Sequence, residues 1–201
     1  MVQGNAGGPG ADDPTIENTP STLIPVRVEE LSPQTDWQAT WSTARTKGLD
    51  SELTSFIFKL LHCLLPTQDR VSRITRNQNQ NIGLCQLCHA EVEDPQHAFF
   101  SCPYSSTAGL ALLGYLQLLV PDLSPGAALH LEFGQGLDEQ EQLAEVCLLA
   151  TGLKYILSMR IEKKLVVLYK MRTEIEAKIS VLRSTMHSEA GDVMAEIIRT
   201  E

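Results

Sequence analysis

A chain of 201 residues with 43% hydrophobic residues can build a core, but aromatics at 5% leave it short of the material of a large β-sandwich or barrel. Its formal net charge of -9, from 16 basic and 25 acidic residues, argues against strong autonomous nucleic-acid binding, because phosphate contacts supply most of that affinity. The odd count of 5 cysteines argues against a secreted disulfide framework. No basic start followed by an apolar run marks a signal peptide, and no apolar stretch approaches a membrane span, so the expectation is a soluble intracellular protein of the nucleus or cytoplasm with no membrane contact.

Residues 1–36 read as a disordered leader, since Gly4, Gly7, Gly8, Pro9, Gly10, Pro14, Pro20, Pro25 and Pro33 break any periodicity. Ile24, Val26 and Val28 alternate and allow one short strand, although an extended linker accounts for them as well. From Trp37 the pattern turns helical: Trp37, Trp41 and Ala44 share a stripe that Gly48 ends. A second helix is predicted over 51–64, where Leu53, Phe56, Ile57, Leu60, Leu61 and Leu64 follow the 3.6-residue period, and Pro66 stops it. A third starts after Thr67 as N-cap, with Asp69 in its first turn and Val71 and Ile74 as an apolar edge. The polar run 77–81 reads as a loop. A further helix is expected over 105–119, with Gly109 and Gly114 counting against it. Thus 37–120 forms one helical module and 121–137, rich in Pro and Gly, a linker. Over 138–187, a long amphipathic helix or helical pair carries an apolar stripe of Ile161, Leu165, Leu168, Met171, Ile175, Ile179, Leu182 and Met186; 188–201 is a tail.

The chemistry concentrates at 85–102. Cys85-Gln-Leu-Cys88 is followed after eight residues by His97 and after four more by Cys102. A Cys-x2-Cys turn lets two sulfurs reach one ion, with the intervening amides facing them, and thiolate and imidazole suit tetrahedral Zn2+. Asp94-Pro95 supplies an N-cap and a first helical residue, placing His97 in the first turn and Cys102 further along or just off that helix. His89 competes as a ligand, but its position directly after Cys88 makes simultaneous coordination awkward. The set is complete, which marks a structural site without an open position. His62 and Cys63 are assigned to packing, Cys147 to the core, and Phe99 and Phe100 to a small core beside the ligands.

The stretch from Phe58 to Val71, with Leu65-Pro66-Thr67, Asp69 and Arg70, then Cys85-x2-Cys88, His97 and Cys102-Pro103, resembles the zinc-binding domain of reverse transcriptases of non-LTR (LINE-like) retrotransposons over about residues 52–120. The resemblance implies a module C-terminal to a polymerase that helps engage template RNA or target DNA. No Tyr-x-Asp-Asp-like motif and no endonuclease segment is present, so it implies a detached remnant, partial gene model or host-adopted fragment, and no enzyme.

Arg70, Arg73 and Arg76 recur every three residues on the third helix and, with Lys59, offer a phosphate-binding face; a solvated charged face is the equal alternative. Arg160, Lys163, Lys164, Lys170, Arg172 and Lys178 alternate with glutamates and read as an ordinary charged surface. The expectation is therefore a mostly α-helical, zinc-stapled module with a long C-terminal helix and a disordered N-terminal tail, bound to RNA or DNA. The alternative is a scaffold module that engages a second copy or another protein through residues 161–186.

Overall fold

The computed structural model describes residues 35–75, 83–133 and 136–199. Residues 1–34, with the expected strand at 24–28, and residues 76–82, with Arg76 and the polar run, lie outside the described residues. The described chain is helical, with one isolated antiparallel bridge, Leu84–Val92.

Helix α1, Trp37–Ala44, begins on Asp36, whose carboxylate accepts from the Gln38 and Ala39 amides. Helix α2, Ser51–Leu61, begins on Asp50 and buries Leu53, Phe56, Ile57, Leu60 and Leu61. It ends three residues before the predicted limit. The Leu64 amide turns back to the Lys59 carbonyl at 2.6 Å, with Cys63 in the left-handed region at φ 52°. This is the Schellman closure that satisfies the last carbonyls, here with cysteine where glycine is usual.

Helix α3, Gln68–Thr75, buries none of its own side chains; Val71 and Ile74 are exposed. Its start is held from a distance, because Glu93 accepts from the Gln68 amide through its carboxylate and from the Asp69 amide through its carbonyl. A five-residue π-helix, His97–Ser101, then leads into α4, Ser106–Gln117. The stretch with a linker's composition carries a short helix α5, Pro125–Leu129, capped by Ser124, and it buries Leu123, Ala128, Leu129, Leu131 and Phe133.

Helix α6, Glu139–Ile161, is the hub. A capping box of Asp138 and Glu141 starts it, and it packs against α1, α2, the π-helix, α4 and the last two helices. At 23 residues it is long and apolar enough to cross a membrane, contrary to the expectation that no stretch approaches that length; 78% of its apolar stretch is buried inside the molecule. The internal Glu145, Lys154 and Arg160 hide this run in the sequence.

The stripe expected over 161–186 is divided between two elements. The Lys164 amide returns to the Met159 carbonyl, and Lys163 is left-handed at φ 54°, so α6 stops and α7, Leu168–Arg183, starts anew. Met171, Ile175, Ile179 and Leu182 are buried within the chain, whereas Ile161, Leu165, Leu168 and Met186 are exposed. The expected tail holds α8, Ser188–Ile197, which buries Ala190, Met194 and Ile197 and pairs closely with α6 and α7. One apolar core runs from Ala44 to Ile198 and includes Phe99 and Phe100. The two phenylalanines thus belong to the common core and not to a separate small one.

Candidate metal centre

The centre is assembled from three local devices. The first is the Cys85–Cys88 turn. The Leu87 and Cys88 amides face the Cys85 sulfur at 3.4 and 3.5 Å, and the Cys85 amide donates to the Glu91 carbonyl at 2.8 Å. His89 takes a left-handed φ of 56°, which turns the chain back toward the Leu84–Val92 bridge. It is exposed and stands outside the ligand group.

The second device is the cap. The Asp94 carboxylate accepts from the His97 amide at 2.7 Å and the Asp94 carbonyl from the Ala98 amide, as the Asp-Pro pair implies. The third is the π-helix, which closes with the Cys102 amide on the His97 carbonyl at 2.8 Å and leaves Cys102 just past its end in extended backbone.

Ligand atoms of Cys85, Cys88, His97 and Cys102 all lie within 4.8 Å of one another. Two distances test the fit to zinc. A tetrahedral ion with Zn–S of about 2.3 Å and Zn–N of about 2.0 Å separates two sulfurs by about 3.8 Å and a sulfur from a nitrogen by about 3.5 Å. Cys85 Sγ and Cys102 Sγ are 3.8 Å apart, and Cys88 Sγ lies 3.4 Å from His97 Nε2. Three thiolates and an imidazole at this spacing form a closed tetrahedral site, and its cofactor is zinc.

The surroundings orient the ligands. His97 Nδ1 donates to Glu91 Oε2 at 2.9 Å, which fixes the ring with Nε2 toward the metal position. The Cys88 thiol is held below its usual range: burial opposes ionisation, but the Ala90 and Glu91 amides together with the neighbouring Cys85 and Cys102 outweigh it. Burial pushes the Cys102 thiol up, against the pull of Arg160, so metal binding displaces its proton.

Arg160, expected on a charged surface, lies instead buried beside the ligands. Its Nη2 donates to Cys85 Sγ at 3.1 Å and to Glu93 Oε2 at 2.7 Å, and Nη1 donates to Ser105 Oγ at 2.9 Å. Burial alone would lower its pKa, but the neighbouring Cys102 and Cys85 sulfurs and the Glu93 carboxylate raise it, so it stays cationic. Lys178, expected on the same surface, pairs with Asp50 at 2.5 Å.

The basic residues of the second and third helices are elsewhere. Lys59 and Arg73 are exposed and Arg70 is half-buried. Arg73 Nε donates to Asp69 Oδ1 at 3.0 Å within its own helix. Both arginines are close enough to Cys63 to oppose the rise that burial causes in its pKa.

Comparison with curated proteins and with solved structures finds no match. Residues 27–108 match the family described as zinc-binding in reverse transcriptase, a match that spans α1, α2, α3 and all four ligands. That family is defined by zinc binding and not by polymerase chemistry. Over residues 27–108 this chain therefore resembles the zinc-binding domains of reverse transcriptases.

Proposed function

We propose that this chain is a nucleic-acid-associated zinc module derived from the C-terminal region of a non-LTR retrotransposon reverse transcriptase, without polymerase activity. The observation that carries the reading is a closed Cys3His group inside a segment matching a reverse-transcriptase zinc-binding family. Zinc acts as a staple here, fixing the turn, the π-helix and the start of α3. Arg70 and Arg73, with Lys59 and Arg76, are the groups assigned to phosphate. Thiolate ligands imply a reducing compartment, nucleus or cytoplasm.

The test is a salt-titrated RNA and DNA binding assay on the zinc-loaded protein. Binding at low salt is expected to weaken when Arg70, Arg73 and Arg76 are changed to glutamine, with the log–log salt slope reduced by about one for each phosphate that is no longer neutralised. Absence of binding at low salt, or an unchanged slope in the triple variant, sinks the reading.

A second reading is favoured by Ile161, Leu165, Leu168 and Met186, which stand exposed at the ends of the stripe whose centre is buried. In it, zinc staples a scaffold that binds a second copy or another protein through this surface. Light scattering that shows a strict monomer removes the homo-oligomer.

A further inference from the structure

A zinc ion with three thiolates and one imidazole carries one net negative charge. This centre is buried: Cys85 and Cys102 are fully enclosed and His97 nearly so. Buried charge is costly unless it is matched by charge and hydrogen bonds. Arg160, at the end of α6, supplies both. Its side chain is 4% exposed and its partner Glu93 is 10% exposed, so neither charge is met by bulk water.

We propose that Arg160 is a positioning residue of the zinc centre, which shares its charge between Glu93 and the Cys85 thiolate and clamps the ligand turn, the π-helix and the start of α3 together. This rests on the zinc assignment and goes beyond it, because Arg160 lies outside the matched segment 27–108.

The clamp can be followed atom by atom. Nη2 holds Cys85 of the turn and Glu93, the residue between the Leu84–Val92 bridge and the Asp94 cap. The other Glu93 oxygen accepts from the Gln68 amide at 3.3 Å, which ties in α3. Nη1 holds Ser105 Oγ, and that hydroxyl donates to the Ala98 carbonyl at 2.6 Å, one residue past His97 on the π-helix. One planar guanidinium thus fixes the ligand turn and, through two intermediaries, the π-helix and α3. A lysine ammonium could match the charge but not the fork.

The experiment uses the full chain and three variants, Arg160→Met, Arg160→Lys and Glu93→Gln. Zinc affinity is measured by chelator competition, and the thiolate-to-metal charge-transfer band is read in the cobalt-substituted protein. The alkylation rate of the metal-bound cysteines completes the set. Wild type is expected to hold one metal per chain; failure of that arm alone overturns the zinc assignment and the proposal with it.

Arg160→Met is expected to lower zinc affinity by about 10- to 100-fold. It should also move the charge-transfer band to lower energy and speed alkylation, because a thiolate that loses an N–H donor becomes more electron-rich. Arg160→Lys should fall between the two, and it carries the test if the methionine variant does not fold. Glu93→Gln keeps Arg160 on the sulfur, so its band should stay at the wild-type position. Weaker affinity with an unmoved band in both Arg160 variants shows packing alone and overturns the proposal, as does a lysine variant identical to wild type.

Discussion

Gly109 meets the backbone of Phe99 so closely that a Cβ on Gly109 would stand 2.0 Å from the Phe99 carbonyl oxygen. By propensity a glycine inside α4 counts against the helix; its role is to let α4 lie directly on the π-helix that carries His97. Gly109→Ala must push the two apart. It is expected to cost at least about 2 kcal/mol in denaturant unfolding and to weaken zinc binding several-fold. A variant with wild-type midpoint and zinc affinity would mean that the two helices separate freely.

The five cysteines should sort into three classes in one labelling experiment. With zinc bound, an alkylating reagent should modify Cys63 alone, which is exposed. Cys147 is fully buried and its thiol is pushed up to about 12 by burial, so it should stay inert. Chelation should open Cys85, Cys88 and Cys102. Cys85→Ser or Cys102→Ser should lose the metal and the order of the ligand turn and π-helix, with the α6 core retained, since structural zinc contributes on the order of 10 kcal/mol to the small module it staples. Cys147→Ser should keep the metal at a cost of about 1–3 kcal/mol for the buried hydroxyl. Intact-mass analysis after labelling gives the count, and native mass spectrometry gives the metal.

Glu145 is fully buried on α6, and both its carboxylate oxygens lack a hydrogen-bond partner among the described residues. Burial, with the nearby Glu141 charge, raises its pKa from 4.5 to about 8. The folded state therefore binds the proton more tightly than the unfolded chain. Stability attributable to this group is full below about pH 4.5 and is lost as pH rises toward 8. Glu145→Gln should accordingly match wild type near pH 5 and be more stable at pH 8, by on the order of 3 kcal/mol. Zinc loss at acid pH affects both proteins alike, so the difference between their unfolding midpoints is the quantity to follow. A difference that stays constant from pH 5 to 8 would rule out a raised pKa.

Lys163 holds the left-handed position that closes α6, at φ 54°. A non-glycine residue there costs about 1 kcal/mol or more. Lys163→Gly should raise stability by about that amount, and Lys163→Val should lower it, with zinc content unchanged in both. Thermal or urea midpoints decide; a destabilised glycine variant would mean that the lysine side chain itself matters.

What can be read from the sequence is local. The four ligands are visible because Cys-x2-Cys and the Asp-Pro entry are short-range devices whose geometry follows from a few dihedrals. The apolar period of α2 is visible for the same reason. Arg160 is not, because its burial depends on where the far end of α6 meets the ligand turn, and an arginine among lysines and glutamates looks like surface. The break at 162–167 is hidden because Lys163 takes a conformation usually left to glycine. Residues 121–137 have a linker's composition, yet Pro125 is the first residue of a helix and Leu131 and Phe133 fill the core. The helix at 188–197 leaves a trace in Ala190, Met194 and Ile197, but ten residues with several small side chains give the period little weight.

The central place of α6 also sets a timetable for synthesis. All four ligands have been made by residue 102, so the metal turn can close while the rest of the chain is still emerging from the ribosome. The apolar faces of α2 and α4, including Ile57, Leu112 and Leu116, are covered only in part, by α1 and the π-helix, until α6 follows. During that interval the nascent chain carries a formed knuckle beside naked hydrophobic surface, a state prone to aggregation and to capture by chaperones. A ribosome-stalled chain ending near residue 120 should therefore retain zinc yet bind a hydrophobic dye, and one ending beyond residue 161 should lose most of that dye.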